Sequence, residues 1–114
     1  MLGSTERARQ DLQLVEHARV FAALGDAVRL RLIETLSVGG GGSIAELTAG
    51  MQLSGVPISR QAVTKHLGVL AAAGWVRDVK SGRKRRFEIE PAQLAEAQRS
   101  LKLIGGEWNS LRDL

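Results

Sequence analysis

The sequence contains no cysteine, which excludes disulfides, thiolate metal centres and thiol redox switches from this chain. It has no apolar run near the roughly 20 residues needed to cross a bilayer. Its opening stretch, MLGSTERARQDLQ, lacks the apolar centre of a secretory signal, so a cytoplasmic protein is expected. The two histidines, His17 and His66, fall on different predicted elements, and no nucleophile, base and orienting acid occur at a recognisable spacing. An enzyme therefore has little support. The glycine-rich stretch SVGGGGS, residues 37–43, lacks the Lys-Ser or Lys-Thr ending of a phosphate-binding loop and reads as a connector, too costly in backbone entropy for a helix. There is no internal repeat and no sign of a second domain.

What is present fits one small domain. The chain has 114 residues, 44% of them hydrophobic and 25% charged, an ordinary globular balance. At this size one core is feasible with limited margin, which association of two copies would widen. A net charge of +4 is compatible with a polyanionic partner, although many basic proteins bind none.

Leu14, Ala18, Phe21 and Leu24 recur at three- and four-residue steps and predict an amphipathic first helix ending near Gly25. Residues 1–12 read as a flexible lead-in to a single domain over residues 13–114. Asp26 is placed to cap a second helix with an apolar stripe of Val28, Leu32, Ile33 and Leu36, running to about Leu36. Ser43 and Glu46 have capping-box spacing and start a third helix with Leu47 and Met51 inward. Gly55-Val56-Pro57 breaks the chain, and Ser59 caps a fourth helix that ends at Gly74. From Trp75 two short strands flank a Ser81-Gly82 turn, with alternation clearest at Phe87 and Ile89. Pro91 opens a last helix whose Leu94, Ala97, Leu101, Ile104, Trp108 and Leu111 form a heptad-like seam, with Gly105-Gly106 a point where it could kink.

In the fourth helix Val63, Leu67 and Leu70 fall in a narrow arc, while Gln61, Lys65 and Gly68 lie nearly opposite and Thr64 beside them. One face packs; the other is offered outward. A capped helix after a turn and a short helix is the helix-turn-helix arrangement, whose second helix enters the major groove. There Gln, Arg or Lys read base edges, Thr meets a thymine methyl or a phosphate, and Gly68 permits close approach. A plain solvated face would look the same in isolation. The hairpin separates the two readings: Lys80, Arg83, Lys84, Arg85 and Arg86 crowd its turn, and such like charges repel unless an anion compensates. A helix-turn-helix followed by a basic hairpin is a winged helix, an α+β fold that here is mainly helical.

The chain resembles the ArsR-type family of winged-helix transcriptional regulators over about residues 14–112. VFAALGDAVRLRLIETL is similar to the family's F-x-A-L-x-D-x-x-R-x-x-I-L entry. ISRQAVTKHLGVLAAAGWV is similar to its S-x-x-x-[VI]-[ST]-x-H-L-x-x-L-x-x-A-G-L-V core, and SGRKRRFEIEP to its G-R-x-x-x-Y-x-L wing ending. The resemblance implies a homodimeric repressor that binds double-stranded DNA at an imperfect palindrome. It implies that Ser59, Arg60, Gln61, Thr64, Lys65 and His66 form the recognition segment and that Arg83, Lys84, Arg85 and Arg86 form the DNA-tracking wing, to which the charge crowded at the turn adds Lys80. His66 flanks the apolar stripe and is open to two roles, a boundary residue bonding locally or a phosphate contact.

Many family members sense metals through cysteines. This chain resembles instead the cysteine-free, metal-independent branch with a tryptophan in the last helix, so no cofactor and no metal ligand are expected. His17 beside Glu16, with Glu96, Glu107 and Asp113 on the last helix, reads as a set of solvated positions. The dimer is expected on the outer helices through Leu14, Phe21, Leu101, Ile104, Trp108 and Leu111, although Leu14 and Phe21 could meet the seam within one chain. A winged-helix protein-interaction module is the alternative function. TAGMQLSGVP makes the connection before the recognition helix longer than usual.

Overall fold

The computed structural model describes the backbone of residues 3–112 and the side chains of these residues except 10, 11 and 107–112. The local signals at helix starts produce the helices that follow them. Asp26 Oδ1 accepts from the amides of Val28 and Arg29 at 2.9 and 3.1 Å, starting α2 (Ala27–Gly39). Ser43 Oγ accepts from the Glu46 amide while Glu46 accepts from the Ser43 amide, a reciprocal cap that starts α3 (Ile44–Leu53). Ser59 Oγ accepts from the Ala62 amide at 3.1 Å and starts α4 (Arg60–Ala72). The strands are β1 (Val76–Ser81) and β2 (Lys84–Ile89), paired antiparallel with Ser81 opposite Lys84. Gly82 takes a φ of +65° in the two-residue turn between them, a conformation that suits the right-handed strand twist and that other residues adopt only with strain.

The core lies between α2, α3, α4 and the hairpin. Leu32, Met51, Val63 and Leu70 are fully buried there, with Leu36, Leu47 and Leu67 almost so; each contributes about 1.5–3 kcal/mol by leaving water. Trp75 closes the core beneath α1 (Ser4–Ala22). Its indole N–H donates to the Val20 carbonyl at 2.8 Å, in the last turn of α1, where no following helical amide reaches that oxygen. Gln93, near the start of α5 (Pro91–Arg112), donates from Nε2 to the Ala73 carbonyl at 2.9 Å and so closes the end of α4.

Several boundaries differ from expectation. α1 is helical from Ser4, well within the segment 1–12 expected to be a flexible lead-in. α2 continues three residues beyond Leu36, and its end is closed by the Gly40 amide donating to the Leu36 carbonyl. The rest of the glycine stretch is more than a connector. Gly42 exchanges both backbone hydrogen bonds with Phe87, at 3.0 and 2.8 Å, forming an isolated antiparallel bridge on the free edge of β2. Such close approach requires Gly41, where φ is +120° and a Cβ would meet the Phe87 carbonyl at 2.9 Å. Part of the expected long connection is helical to Leu53. The remainder is pinned by the Val56 amide donating to the Met51 carbonyl and by Gln52 Nε2 donating to the Ile58 carbonyl, each at 3.0 Å. Helix α5 runs through Gly105-Gly106 without a break, because helix-disfavouring glycines weaken a helix without removing its backbone hydrogen bonds.

The outer helices hold few of their apolar residues against this core. Among the described residues of α1 only Val20 and Phe21 reach it, followed by Ala23 and Leu24 just past the helix end, while Leu14 is 65% exposed. In α5 Ala97 is buried, but Leu101 and Ile104 are 57% and 64% exposed. The seam read from the sequence is thus present on helices but mostly uncovered within one chain. Phe21 differs from its expected partners, being half-buried against its own core. Trp108 and Leu111 lie outside the described side chains.

Candidate nucleic-acid interface

Helix α4 separates its faces as its spacing requires. Val63, Leu67 and Leu70 are buried, whereas Arg60, Gln61, Thr64, Lys65 and Gly68 are exposed. A Cβ added at Gly68 would meet nothing within 4 Å, so this part of the face is open to a close-fitting surface. The Thr64 hydroxyl donates to the Arg60 carbonyl at 2.8 Å. Its proton is therefore spent inside the helix, leaving its methyl and an oxygen lone pair for an outside contact. Ser59 is similarly committed to capping through one oxygen lone pair.

His66 sits at the boundary. It is half-buried, and its Nδ1 is buried with no hydrogen-bond partner among the described residues. A neutral imidazole carrying its proton on Nε2 leaves Nδ1 as an acceptor, the less costly atom to leave unpaired. Of the two roles open to His66, local hydrogen bonding through Nδ1 is absent. The Asp26 carboxyl is held below the usual range, chiefly by the Arg29 amide hydrogen bond.

The wing is less uniformly basic than its sequence suggests. Asp78 accepts from Arg85 Nε at 2.8 Å and from the same guanidinium through Nη2; this pairing raises the Arg85 pKa. Arg77 lies 3.2 Å from its cross-strand partner Glu88 and 3.8 Å from Glu90. Lys80, Arg83, Lys84 and Arg86 form no ion pair among the described residues, and neither do Arg60 and Lys65 of α4. Lys84 and Arg86 share an open groove with Ser43 and Glu46 at the start of α3. Their fields reach Glu46, whose carboxyl is lowered mainly by the Ser43 hydroxyl and then by the Ser43 amide.

Of the eleven residues assigned to DNA, the structure thus places five of the recognition set on or at the end of one exposed face, with His66 at its edge. Arg85 stands apart, already satisfied by a carboxylate. The Asp78–Arg85 pair was discoverable in the sequence: once a two-residue turn is set, the two are diagonal cross-strand neighbours. Among the described residues no group of three or more His, Cys, Asp and Glu side chains could hold a metal, and no helix is long and apolar enough to cross a membrane.

A capped helix pair with a two-stranded wing beside it is a winged helix-turn-helix. The chain belongs to the ArsR-like family of winged-helix transcriptional regulators. An ArsR-like regulator from Rhodococcus sp. RHA1 is 37% identical, with the alignment covering 89% of this chain and 90% of that one at a TM-score of 0.73. The transcriptional regulator Rv2034 of Mycobacterium tuberculosis, described as of the helix-turn-helix type, is 34% identical over 83 residues, 73% of this chain and 72% of the relative. A homodimeric winged helix-turn-helix domain from Mycobacterium bovis shares the fold at 20% identity and a TM-score of 0.67, covering 94% of this chain and 92% of that one. No protein-family model matches the chain. These relatives are regulators of transcription, and the chain is accordingly a DNA-binding regulator by family.

Proposed function

We propose that this protein is a homodimeric transcriptional repressor that binds an imperfect palindromic operator. Gln61, with Arg60, Thr64 and Lys65, faces base edges and flanking phosphates; Ser59 and His66 meet the backbone at the margins; Lys80, Arg83, Lys84 and Arg86 track the phosphates from the wing. The observation that carries the reading is the exposed polar face of α4, backed by three buried aliphatic residues and accompanied by hairpin cations that form no ion pair among the described residues. Phosphate neutralisation supplies affinity, and the α4 face supplies discrimination. Arg85 is a reserve cation, held by Asp78 while the protein is free.

The dimer reading rests on surface. The chain exposes 8273 Å², against roughly 6,100 Å² for a compact monomer of this mass. Its radius of gyration is 17.4 Å, against about 13 Å for a compact chain of this length. On α1 and α5, Leu14, Leu101 and Ile104 stand in water. Two copies pairing these helices about a two-fold axis would cover them and set two α4 helices against two half-sites. The homodimeric domain from Mycobacterium bovis is consistent with this arrangement.

Footprinting on the DNA immediately upstream of the protein's own coding sequence tests the proposal. Protection of two half-sites related by a two-fold axis, surviving an excess of random competitor DNA, is the expected result. Equal affinity for upstream and random DNA would overturn sequence-specific repression and leave the fold as a platform for other partners.

A further inference from the structure

A groove of about 440 Å³ runs between the end of α1, the start of α2 and the final turns of α4. Its floor is made of small residues, Ala22, Ala72 and Ala73, with Val69 forming an exposed part of the wall. Arg19 and Arg29 stand at its margin. None of the side chains assigned to DNA lines it, and neither do the exposed apolar residues assigned to the dimer.

The two arginines are placed differently. Arg29 is fixed: its Nε donates to the Ala23 carbonyl at 2.6 Å, and its side chain is only 19% exposed. Its one acidic neighbour, Asp26, lies at 3.9 Å, and the other oxygen of that carboxylate is committed to the Val28 and Arg29 amides. The guanidinium therefore keeps donors to offer. Arg19 is free to move, since its contact with Glu16 is 3.8 Å long and both side chains are about two-thirds exposed or more. Such a pair exchanges readily for a better anion. No carboxylate lines the groove.

We propose that this groove binds a small organic anion: an apolar body, aromatic or medium-chain aliphatic, lying on the alanines and Val69, with a carboxylate or sulfonate between Arg19 and Arg29. Its size lies within the roughly 300–1,000 Å³ typical of small-molecule sites, and an apolar floor with a few fixed polar groups is their usual composition. A planar guanidinium accepts such a head group through two donors at once.

The test uses the full chain and 8-anilinonaphthalene-1-sulfonate, which joins an aromatic body to a sulfonate. Saturable fluorescence enhancement with one site per protomer is expected, displaced by decanoate and weaker for the uncharged analogue N-phenyl-1-naphthylamine. Ala72→Phe, at an exposed helical position, should fill the groove and abolish saturable binding. Arg19→Glu should weaken the sulfonate about fivefold while leaving the uncharged analogue unchanged. Arg19→Glu alters an exposed side chain and keeps the test decisive if Ala72→Phe fails to fold. Absence of saturable binding to the unmodified protein, or equal affinities in Arg19→Glu and the unmodified protein, would overturn the site. Neither result bears on DNA binding, which is measured separately.

Discussion

At the scale of single residues, the α4 face and the wing are expected to fail differently. Gln61 is exposed and uncommitted within its helix, and an amide that reads a base contributes about 1–3 kcal/mol of discrimination. Gln61→Ala should therefore lower the ratio of operator to random-DNA affinity by that amount. Arg83→Ala and Lys84→Ala should weaken binding to both DNAs together and reduce the salt slope by about 0.9 for each phosphate no longer neutralised. Gel-shift titrations at two salt concentrations separate these outcomes; a Gln61→Ala loss that is equal on both DNAs would remove Gln61 from the base-reading set. Trp75 matters for another reason. Trp75→Phe keeps much of the buried ring but deprives the Val20 carbonyl of its 2.8 Å partner, so chemical denaturation should show a loss of about 1–3 kcal/mol. An unchanged midpoint would mean that water replaces the indole.

At the scale of elements, the wing is a hairpin whose charge is regulated by its own acids. Arg85 and Asp78 neutralise one another on the exposed hairpin, and Arg77 is engaged with Glu88 and Glu90. Removing the Asp78 charge should release a cation toward the phosphates. Asp78→Asn is expected to raise affinity for operator and random DNA alike and to steepen the dependence of log affinity on log salt by about 0.9. If affinity stays constant while the slope is unchanged, Arg85 points away from the duplex and does not belong to the interface. Asp78 stands opposite Phe87, which the Gly42 bridge holds from the other edge of β2, and an exposed ion pair contributes little to stability, so this substitution should leave thermal stability nearly as it was.

At the scale of the whole molecule, stability and DNA binding are joined through the outer helices. Leu101 and Ile104 have more than half their surface in water in the single chain, so their replacement by charged residues costs a monomer little. The same charges would be buried in a dimer formed on α1 and α5, where an unpaired charge is strongly unfavourable. Leu101→Asp combined with Ile104→Asp should therefore yield a folded monomer by sedimentation, with its circular dichroism retained. Its affinity for a two-half-site operator should fall at least tenfold, since about 1.4 kcal/mol of binding free energy corresponds to a factor of ten. A dimer that persists in this variant would move the interface to another face.

What the sequence determined by itself were features settled within a few residues. Asp26, Ser43 and Ser59 cap the helices that follow them, because a side-chain oxygen needs only the amides two or three residues ahead. The two-residue turn sets the hairpin register, and helical spacing alone separates Val63, Leu67 and Leu70 from Gln61 and Lys65. Tertiary structure decided what depends on neighbours far along the chain. Periodicity marked Leu14, Leu101 and Ile104 as apolar stripes without telling whether their own core would cover them; it does not, since only one end of α1 reaches that core. The glycine stretch reads locally as a flexible link, yet Gly42 pairs with Phe87, a partner 45 positions away, whose carbonyl excludes a side chain at Gly41. Five basic residues on the hairpin read as one patch, but folding sets Asp78 against Arg85 and gives the other four no ion pair among the described residues. Local hydrogen bonding is encoded at short range, whereas burial and charge pairing are properties of surfaces that exist only once the helices and the wing have met.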